Sequence, residues 1–442
     1  MFTDYPIFRR VGRVALLLAG LSGSGVVQAA PAIQHWQTEN GARVYFFPAP
    51  ELPMVDVRVV FAAGSARDGE HPGLASMTNG LLEEGAAGLS ADAIADRLEG
   101  LGAELGNGAL RDMAWVSLRS LSDAVQLKPA VELLSLIVSE PDFNQQDFAR
   151  ERERALVALR QSDQRPGTIA EYRFYAALYG EHPYATRPIG DEDSLKRMTR
   201  QEIDAFYRKY YVARNALVAI VGDLDRKAAE RLAEQVVGKL PAGEPAAPVP
   251  VVPPLATAEE RHTFHPSTQT HVRMGQPGMH RGDPDYFALY VGNHILGGGG
   301  LVSRLFKEVR EKRGLSYSVN SSFSPMAQDG PYTFGLQTRN DQLQEALDVM
   351  RATLREFHDT GPTQQELTAA KKNITGGFPL RIDSNSKIID YLAMIGFYHL
   401  PLDYLDTFND RVMAVTREQI RDAYQRRVHP EEMITIIVGG EQ

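Results

Sequence analysis

The sequence predicts an α+β fold of two homologous domains, each an antiparallel sheet with helices packed on one face. Three observations lead to this prediction. Short segments recur about 217 residues apart, a proline-rich segment separates the two halves, and each half contains strand-like segments followed by helical ones.

The internal repeat is the first of these observations. Three segments of the first half return in the second half, in the same order and at a nearly constant offset, which favours a duplication. Segments 199–203 and 220–222 recur at 416–420 and 437–439, each 217 residues later, and segment 144–148 pairs with 363–367 at an offset of 219.

The segment between the halves is rich in proline. Residues 240–257 contain six prolines, Pro241, Pro245, Pro248, Pro250, Pro253 and Pro254. Such a stretch favours an extended, semi-rigid linker. The sequence therefore predicts a first domain over residues 30–239, a linker over 240–257 and a second domain over 258–442.

Apolar periodicity predicts the secondary structure within each half. Val55, Val57, Val59 and Phe61 alternate with other residues, which is the period of a half-buried strand, and segment 116–118 has the same pattern. Helical spacing is found in five segments, 91–101, 130–138, 145–161, 342–357 and 364–374.

The composition excludes several classes of function. The apolar and charged fractions, 43% and 23%, are those of an ordinary globular protein. A net charge of −9 gives no electrostatic footprint for nucleic acid or an anionic membrane. The chain has no cysteine, which excludes disulfides, thiolate zinc ligands and cysteine nucleophiles.

The N-terminus has the pattern of a signal peptide. Arg9, Arg10 and Arg13 precede an apolar run over residues 14–27, and Ala29 is the predicted cleavage position, so the signal peptide spans residues 1–29. A membrane anchor is the weaker interpretation, because a span needs about 20 apolar residues. We therefore predict a periplasmic protein, exported by the general or the twin-arginine route, with no membrane span after processing.

An amphipathic helix is predicted just after Gly73, because Leu74, Met77, Leu81 and Leu82 lie at helical spacing. Here the sequence resembles the inverted zinc peptidases, the family of pitrilysin, insulin-degrading enzyme and mitochondrial processing peptidase. In that family this helix carries Gly-x-Ala-His-x-x-Glu-His, in which the two His bind Zn²⁺ and the Glu acts as general base.

The residues that the family uses for catalysis are absent from this chain. Ser76 stands at the first His, Asn79 at the Glu and Gly80 at the second His. The family's third ligand is the second Glu of a Glu-x6-Glu pair, where this chain has Glu151 and then Ala158. The resemblance therefore implies no metal site in this chain and zinc in a partner subunit.

The resemblance also singles out Arg310 and Tyr317, which have the family's Arg-x6-Tyr spacing in the second domain. In the family such a pair faces the zinc across a closed chamber, positions the substrate backbone and stabilises the oxyanion. Without the resemblance, Arg310 would be one of a solvated set with Lys307 and Arg313, and Tyr317 an ordinary strand aromatic.

Two other features favour structural interpretations. His182 precedes Pro183 and fits a turn better than a metal site, while His262 and His265 are neighbours on a segment close to the linker. The glycines over 297–300 lack the Gly-Lys-[Ser/Thr] of a phosphate loop, so a permissive turn before a helix is expected.

The sequence thus predicts a non-catalytic, substrate-handling subunit of a periplasmic zinc metalloendopeptidase. It would be inactive alone and act as a hydrolase only with a homologous zinc-bearing chain, as a heterodimer or larger assembly. The two halves would enclose an unfolded peptide, bound as an added strand. A non-enzymatic scaffold or peptide-binding chaperone of the same fold is the alternative. An independent hydrolase has no supporting motif, since no Gly-x-Ser-x-Gly is present.

Overall fold

The computed structural model describes residues 32–255 and 257–440. The predicted signal peptide over residues 1–29 lies outside this part of the chain. Within it, no helix combines the length and the apolar character that crossing a bilayer requires.

The first half contains a six-stranded sheet and a two-stranded ribbon. Its strands are β1 (Gln34–Gln37), β2 (Arg43–Pro48), β3 (Met54–Phe61), β4 (Gly85–Ala86), β5 (Leu89–Ser90), β6 (Glu104–Ala109), β7 (Ala114–Leu121) and β8 (Ala216–Gly222). Its helices are α1 (Leu74–Gly80), α2 (Ala91–Leu101), α3 (Ala124–Ser139), α4 (Gln145–Ser162), α5 (Pro166–Tyr179), α6 (Glu192–Arg197), α7 (Arg200–Tyr210) and α8 (Arg226–Val237).

The second half contains a five-stranded sheet. Its strands are β9 (Glu259–Thr263), β10 (Gln269–Met279), β11 (Ser316–Phe323), β12 (Gly330–Arg339) and β13 (Ile434–Val438). Its helices are α9 (Tyr286–Asn293), α10 (Leu343–Thr360), α11 (Gln364–Gly377), α12 (Asn385–Phe397), α13 (Tyr404–Ala414) and α14 (Arg417–Arg427), with π-helical turns at His294–Gly298 and Phe306–Glu311.

The two sheets have the same topology, as the duplication predicts. The strand orders are β1-β2-β8-β3-β7-β6 and β11-β12-β10-β13-β9, so β2, β8, β3, β7 and β6 correspond to β9, β13, β10, β12 and β11. Each sheet departs from the predicted antiparallel pattern at one pair, because β2 and β8, like β9 and β13, run parallel. A parallel pair needs a long crossover connection, and the chain between β2 and β8 provides one.

The repeated segments also fold alike. Helices α7 and α14 both begin with a capping box, in which the Thr199 and Thr416 hydroxyls accept the N–H groups of Glu202 and Gln419. Reciprocal capping of this kind fixes where a helix begins. The same cap at the same place in each half explains why the sequence repeat is clearest there.

The two halves are interlocked through one helix each. Helix α5 of the first half packs on β10 and β13, and helix α12 of the second half packs on β2, β3 and β8. Each sheet therefore has helices of its own half on one face and a helix of the other half on the opposite face. The sequence predicts helices on one face of each sheet, and the structure adds a helix of the other half on the opposite face.

The interlock places apolar residues of both halves in one core. Tyr45, Val60 and Leu217 of the first sheet belong to the same buried cluster as Ile389 and Leu392 of α12. Apolar burial of this kind contributes about 25 cal/mol per Å² removed from water. The two halves therefore share one apolar core where α12 packs on the first sheet.

The linker is extended and is fixed to the rest of the chain. Segment 241–254 has no helix or strand, yet Val249 and Val252 are buried. His182 holds the segment with a 2.8 Å hydrogen bond between its Nε2 atom and the Pro250 carbonyl oxygen, while its Nδ1 atom accepts the Tyr184 N–H. His182 therefore has the structural role in a turn that the sequence indicates.

Candidate functional site

By its resemblance to the zinc peptidases, helix α1 corresponds to the helix that carries His-x-x-Glu-His in that family. Close packing and hydrogen bonds fix the N-terminus of this helix. Gly73 begins the helix with a left-handed φ of 94°, and a Cβ there would lie 2.9 Å from the Ile189 carbonyl oxygen. The two carboxylate oxygens of Asp68 accept the backbone N–H groups of Gly73 and Ala75, each at 2.8 Å. Only glycine tolerates this conformation in so little space.

Asp68 is a buried carboxyl group with no basic partner among its hydrogen bonds. Burial raises its pKa to about 7, although the two N–H groups act in the opposite direction. Desolvation disfavours a charged carboxylate, whereas N–H donors at a helix N-terminus favour it. Proton binding by Asp68 is therefore coupled to the geometry of α1.

Of the three positions on α1 that correspond to His, Glu and His, two form structural hydrogen bonds and the third is a glycine. Ser76 donates a 2.6 Å hydrogen bond to the Pro188 carbonyl oxygen. Asn79 is 1% exposed, and its amide group donates to the Trp115 carbonyl oxygen and to the Tyr211 hydroxyl at 3.2 and 3.3 Å. Gly80 offers no side chain, and a Cβ built there would meet no atom within 4 Å.

The position of the third ligand lies on α4, which contacts the end of α1. Glu151 is half-buried, and burial together with the nearby Glu84 raises its pKa. Arg150 and Arg154 both pair with Glu84, and Arg154 also pairs with Glu151. Ala158, seven residues after Glu151, is exposed and has no ligand atom.

These residues do not fit a zinc ion. Neither imidazole is present, the general base is an amide, and the remaining carboxylates are neutralised by arginine. Among the residues described, one other group could gather three ligand atoms, namely His280, Asp283 and Asp329. Asp283 is already held by Arg427 at 2.9 Å, so this group carries no metal assignment.

Arg310 and Tyr317 are brought together at the edge of the second sheet. The Arg310 guanidinium lies 4.4 Å from the Tyr317 ring centroid and 4.8 Å from that of Phe306. Tyr317 is 80% exposed, and its hydroxyl makes no hydrogen bond within residues 32–255 and 257–440. A cation over an aromatic face is attracted by the ring quadrupole, so the pair is preorganised.

Both residues lie on local irregularities of the backbone. Arg310 belongs to the π-helical turn Phe306–Glu311, and Tyr317 lies in a β-bulge between Ser316 and Ser318 on edge strand β11. The Ser316 hydroxyl fills the bulge by donating to the carbonyl oxygens of Ser318 and Gln337. Irregularities of these two kinds are frequent beside functional sites, where they redirect a side chain.

The neighbouring basic residues behave differently from Arg310. Lys312 and Arg313 both pair with Glu308, at 2.6 and 2.9 Å. Arg310 pairs with no carboxylate in the part of the chain that the structure describes. Lys307 also lacks a carboxylate partner among these residues, so what sets Arg310 apart is the contact of its guanidinium with the Tyr317 ring.

Two polar residues beside α1 were not singled out by the sequence. The Asn107 side chain on β6 donates to the Asn79 carbonyl oxygen and to the Glu83 carboxylate, both at 3.1 Å. Tyr211 is buried and bonds to Asn79. Neither has a sequence signal, because single polar residues in a strand or after a helix carry no spacing pattern.

Comparison with known proteins is consistent with this architecture. The family profile described as "Insulinase (Peptidase family M16)" matches residues 46–192, and the profile described as "Peptidase M16 inactive domain" matches residues 197–374. A solved structure from Pseudomonas fluorescens, described as a peptidase M16 inactive domain, is 41% identical, with a TM-score of 0.90. That match covers 93% of this chain and 98% of the other. The chain belongs to the M16 peptidase family.

Two relatives show how varied the names of M16 proteins are. An uncharacterized zinc protease of Streptomyces coelicolor is 26% identical, covering 93% of this chain and 90% of its own length. A protein of Helicobacter pylori named "Non-peptidase homolog YmxG" is 24% identical, covering 88% of this chain and 90% of its own. This chain is an M16 protein of the inactive type, with the family's fold of two homologous domains and without His-x-x-Glu-His.

Proposed function

We propose that this chain is the non-catalytic, substrate-handling subunit of a periplasmic zinc metalloendopeptidase, paired with a homologous chain that carries the zinc. The observation that carries this proposal is the contact of Arg310 with the exposed Tyr317, in a chain that has no zinc ligand at Ser76, Gly80 and Ala158. A protein that served only as a scaffold would have no use for this pair.

The chemistry of the pair suits a peptide carbonyl group. Peptide hydrolysis develops negative charge on the carbonyl oxygen, and a phenolic O–H with a guanidinium can donate to that oxygen. Tyr317 has a free hydroxyl, and Arg310 has N–H groups not committed to a carboxylate. Fixed on irregular backbone, these donors would need little reorganisation when a substrate binds.

The interlocked halves support a second chain in the assembly. Helices α5 and α12 tie the two sheets together, which supports a role of this chain as one wall of an enclosure. A homologous partner would supply the second wall and the metal, in a heterodimer or larger assembly. The substrate would be an unfolded peptide, and the signal-like sequence of residues 1–29 supports a periplasmic location for the complex.

Reconstitution with the zinc-bearing homologue tests the proposal. The purified chain alone is expected to bind no stoichiometric zinc and to cleave no peptide. In the complex, Tyr317→Phe should lower kcat about 10²- to 10³-fold, because one donor to the oxyanion is lost. Arg310→Ala should also raise KM, because its charge holds the peptide before and during the reaction.

Arg313→Ala is the matched control, because Arg313 is a neighbouring arginine that pairs with Glu308. It should leave kcat within about twofold of the wild type. Zinc content and assembly should be unchanged in all three variants. If a complex carrying both Tyr317→Phe and Arg310→Ala cleaves peptides at the wild-type rate, the chain is a scaffold or a peptide-binding chaperone.

A further inference from the structure

A large cavity lies at the seam between the two halves, and none of its lining residues lies on α1 or belongs to the Arg310–Tyr317 pair. Its volume is about 700 Å³. Strands β3 and β7 and the turn before β7 form its first-half wall, and α12 with the segments after β10 and β11 forms the second-half wall. Most of its lining is apolar, with Val60, Met113, Phe323 and Met394 among the contributing side chains.

Three arginines line this cavity, each against an aromatic ring. The guanidinium of Arg111 lies 3.6 Å from the Tyr175 ring centroid. Arg58 lies 5.8 Å from the ring of Trp115, and Arg281 lies 5.7 Å from that of Tyr398. An aromatic ring holds a guanidinium in place without neutralising it, so the rings leave the charge available to an anion.

The acidic residues of the cavity do not balance these charges. Three arginines face two carboxylates there. Asp390 pairs with Arg58 at 2.5 Å, while Asp112 accepts the hydroxyls of Tyr184 and Tyr398 and acts through its charge on Arg111 without pairing with it. Two arginines therefore remain without a carboxylate partner among the described residues, Arg111 and Arg281.

Arg281 is the more available of these two cations. Arg111 donates to the carbonyl oxygens of Tyr184 and Thr186. The side chain of Arg281 makes no hydrogen bond or ion pair within residues 32–255 and 257–440, and its Nε atom is buried without a partner. The guanidinium of Arg281 lines the cavity, so an anion bound in the cavity could accept hydrogen bonds from its other N–H groups.

We propose that this cavity binds a small organic carboxylate with an apolar body, its carboxylate on Arg281 and its body against Trp115 and Met394. The volume lies in the range of small-molecule sites, which are mostly apolar with a few polar anchors. Charge-assisted hydrogen bonds to a guanidinium give such an anchor both strength and orientation. The site is independent of the proposed function, because none of its residues belongs to the lost zinc site or to the Arg310–Tyr317 pair.

The two tryptophans of the chain, Trp36 and Trp115, allow a direct measurement. Trp36→Phe leaves Trp115, at the cavity wall, as the one fluorophore of this type. Octanoate is the probe and octanamide its uncharged equivalent. Octanoate should change the Trp115 fluorescence in a saturable manner below about 1 mM, and octanamide should bind at least about tenfold more weakly.

Arg281→Met tests the location, because it keeps the length of the side chain and removes the charge. Arg208→Met is the matched control, since Arg208 is exposed on α7 outside the cavity. We expect octanoate binding to weaken about tenfold in the first variant and to stay unchanged in the second. Absence of octanoate binding at about 5 mM, equal affinity for octanamide, or equal binding by both variants would each overturn the proposal.

Discussion

The Tyr398 hydroxyl donates a 2.9 Å hydrogen bond to the Asp112 carboxylate and so joins the end of α12 in the second half to the β6–β7 turn of the first. Asp112 is 4% exposed and also accepts the Tyr184 hydroxyl at 2.5 Å and the Ala327 N–H at 2.8 Å. Burial raises the pKa of Tyr398 above its usual range, which keeps its hydroxyl protonated as the donor.

Tyr398→Phe should destabilise the chain by about 1–3 kcal/mol, because a buried carboxylate loses one of its donors. The ring and its packing are retained, so the effect isolates the hydrogen bond. Urea unfolding followed by circular dichroism measures it. Tyr317→Phe is the control, because Tyr317 is exposed and removal of its hydroxyl should leave the unfolding midpoint unchanged. Equal midpoints for the two variants would show that the Tyr398–Asp112 hydrogen bond does not stabilise the chain.

Gly396 sets how closely α12 approaches the first sheet. A Cβ at this position would lie 2.2 Å from Cδ1 of Leu217 and 2.7 Å from Cε2 of Tyr45. Gly396→Ala should therefore destabilise the chain by about 1–3 kcal/mol. Gly100→Ala, on the exposed face of α2 with no atom within 4 Å, should stabilise it by about 0.5–1 kcal/mol. Thermal unfolding of both variants tests whether α12 packs this closely on the first sheet at Gly396.

Asp68 predicts a dependence of stability on pH. Its pKa is raised to about 7 in the folded chain from 3.8, so between these values the folded state binds more protons than the unfolded state. Stability from this group is then greatest at low pH and is lost as pH rises through about 7. Asp68→Asn should flatten this part of the profile, whereas Glu70→Gln in the same turn should not. Urea midpoints at about pH 5 and pH 8 measure the difference.

The lost metal site can be rebuilt if only its ligands have changed. A Cβ at Gly80 meets no neighbour, and position 158 lies on the same face of α4 as Glu151. The variant carrying Ser76→His, Asn79→Glu, Gly80→His and Ala158→Glu should bind about one zinc per chain. Metal analysis after dialysis measures this, with the wild type as control. A variant that folds and stays metal-free would indicate that the backbone of α1 has also departed from a zinc-binding arrangement.

Local sequence patterns predict the elements of this fold well. The predicted helices over 91–101 and 145–161 correspond to Ala91–Leu101 and Gln145–Ser162, and the strand through Val57 to Met54–Phe61. Caps and periodicity are properties of neighbouring residues, so they can be read from the chain. The internal repeat can also be read from the sequence, and it predicts that the two halves share one topology. The domain boundaries at residues 239 and 258 remain predictions.

Relations between distant segments could not be predicted in this way. The spacing of apolar residues in α5 and α12 indicates that each helix has a buried face, but not which sheet covers it. The bulge at Tyr317 involves a hydrogen bond from the Ser316 hydroxyl to the Gln337 carbonyl oxygen, 21 residues away in the chain. The charge balance around Arg281 likewise depends on residues of both halves.

The crossing of α5 and α12 has a consequence for the order in which the chain can fold. Arg43 on β2 donates to the Gly396 carbonyl oxygen, a contact between residues 353 positions apart. One face of the first sheet stays uncovered until α12 has been synthesised. Contacts this distant in sequence slow folding and leave apolar surface open to aggregation. A nascent chain that lacks α12 would thus depend on holdase chaperones that cover this face.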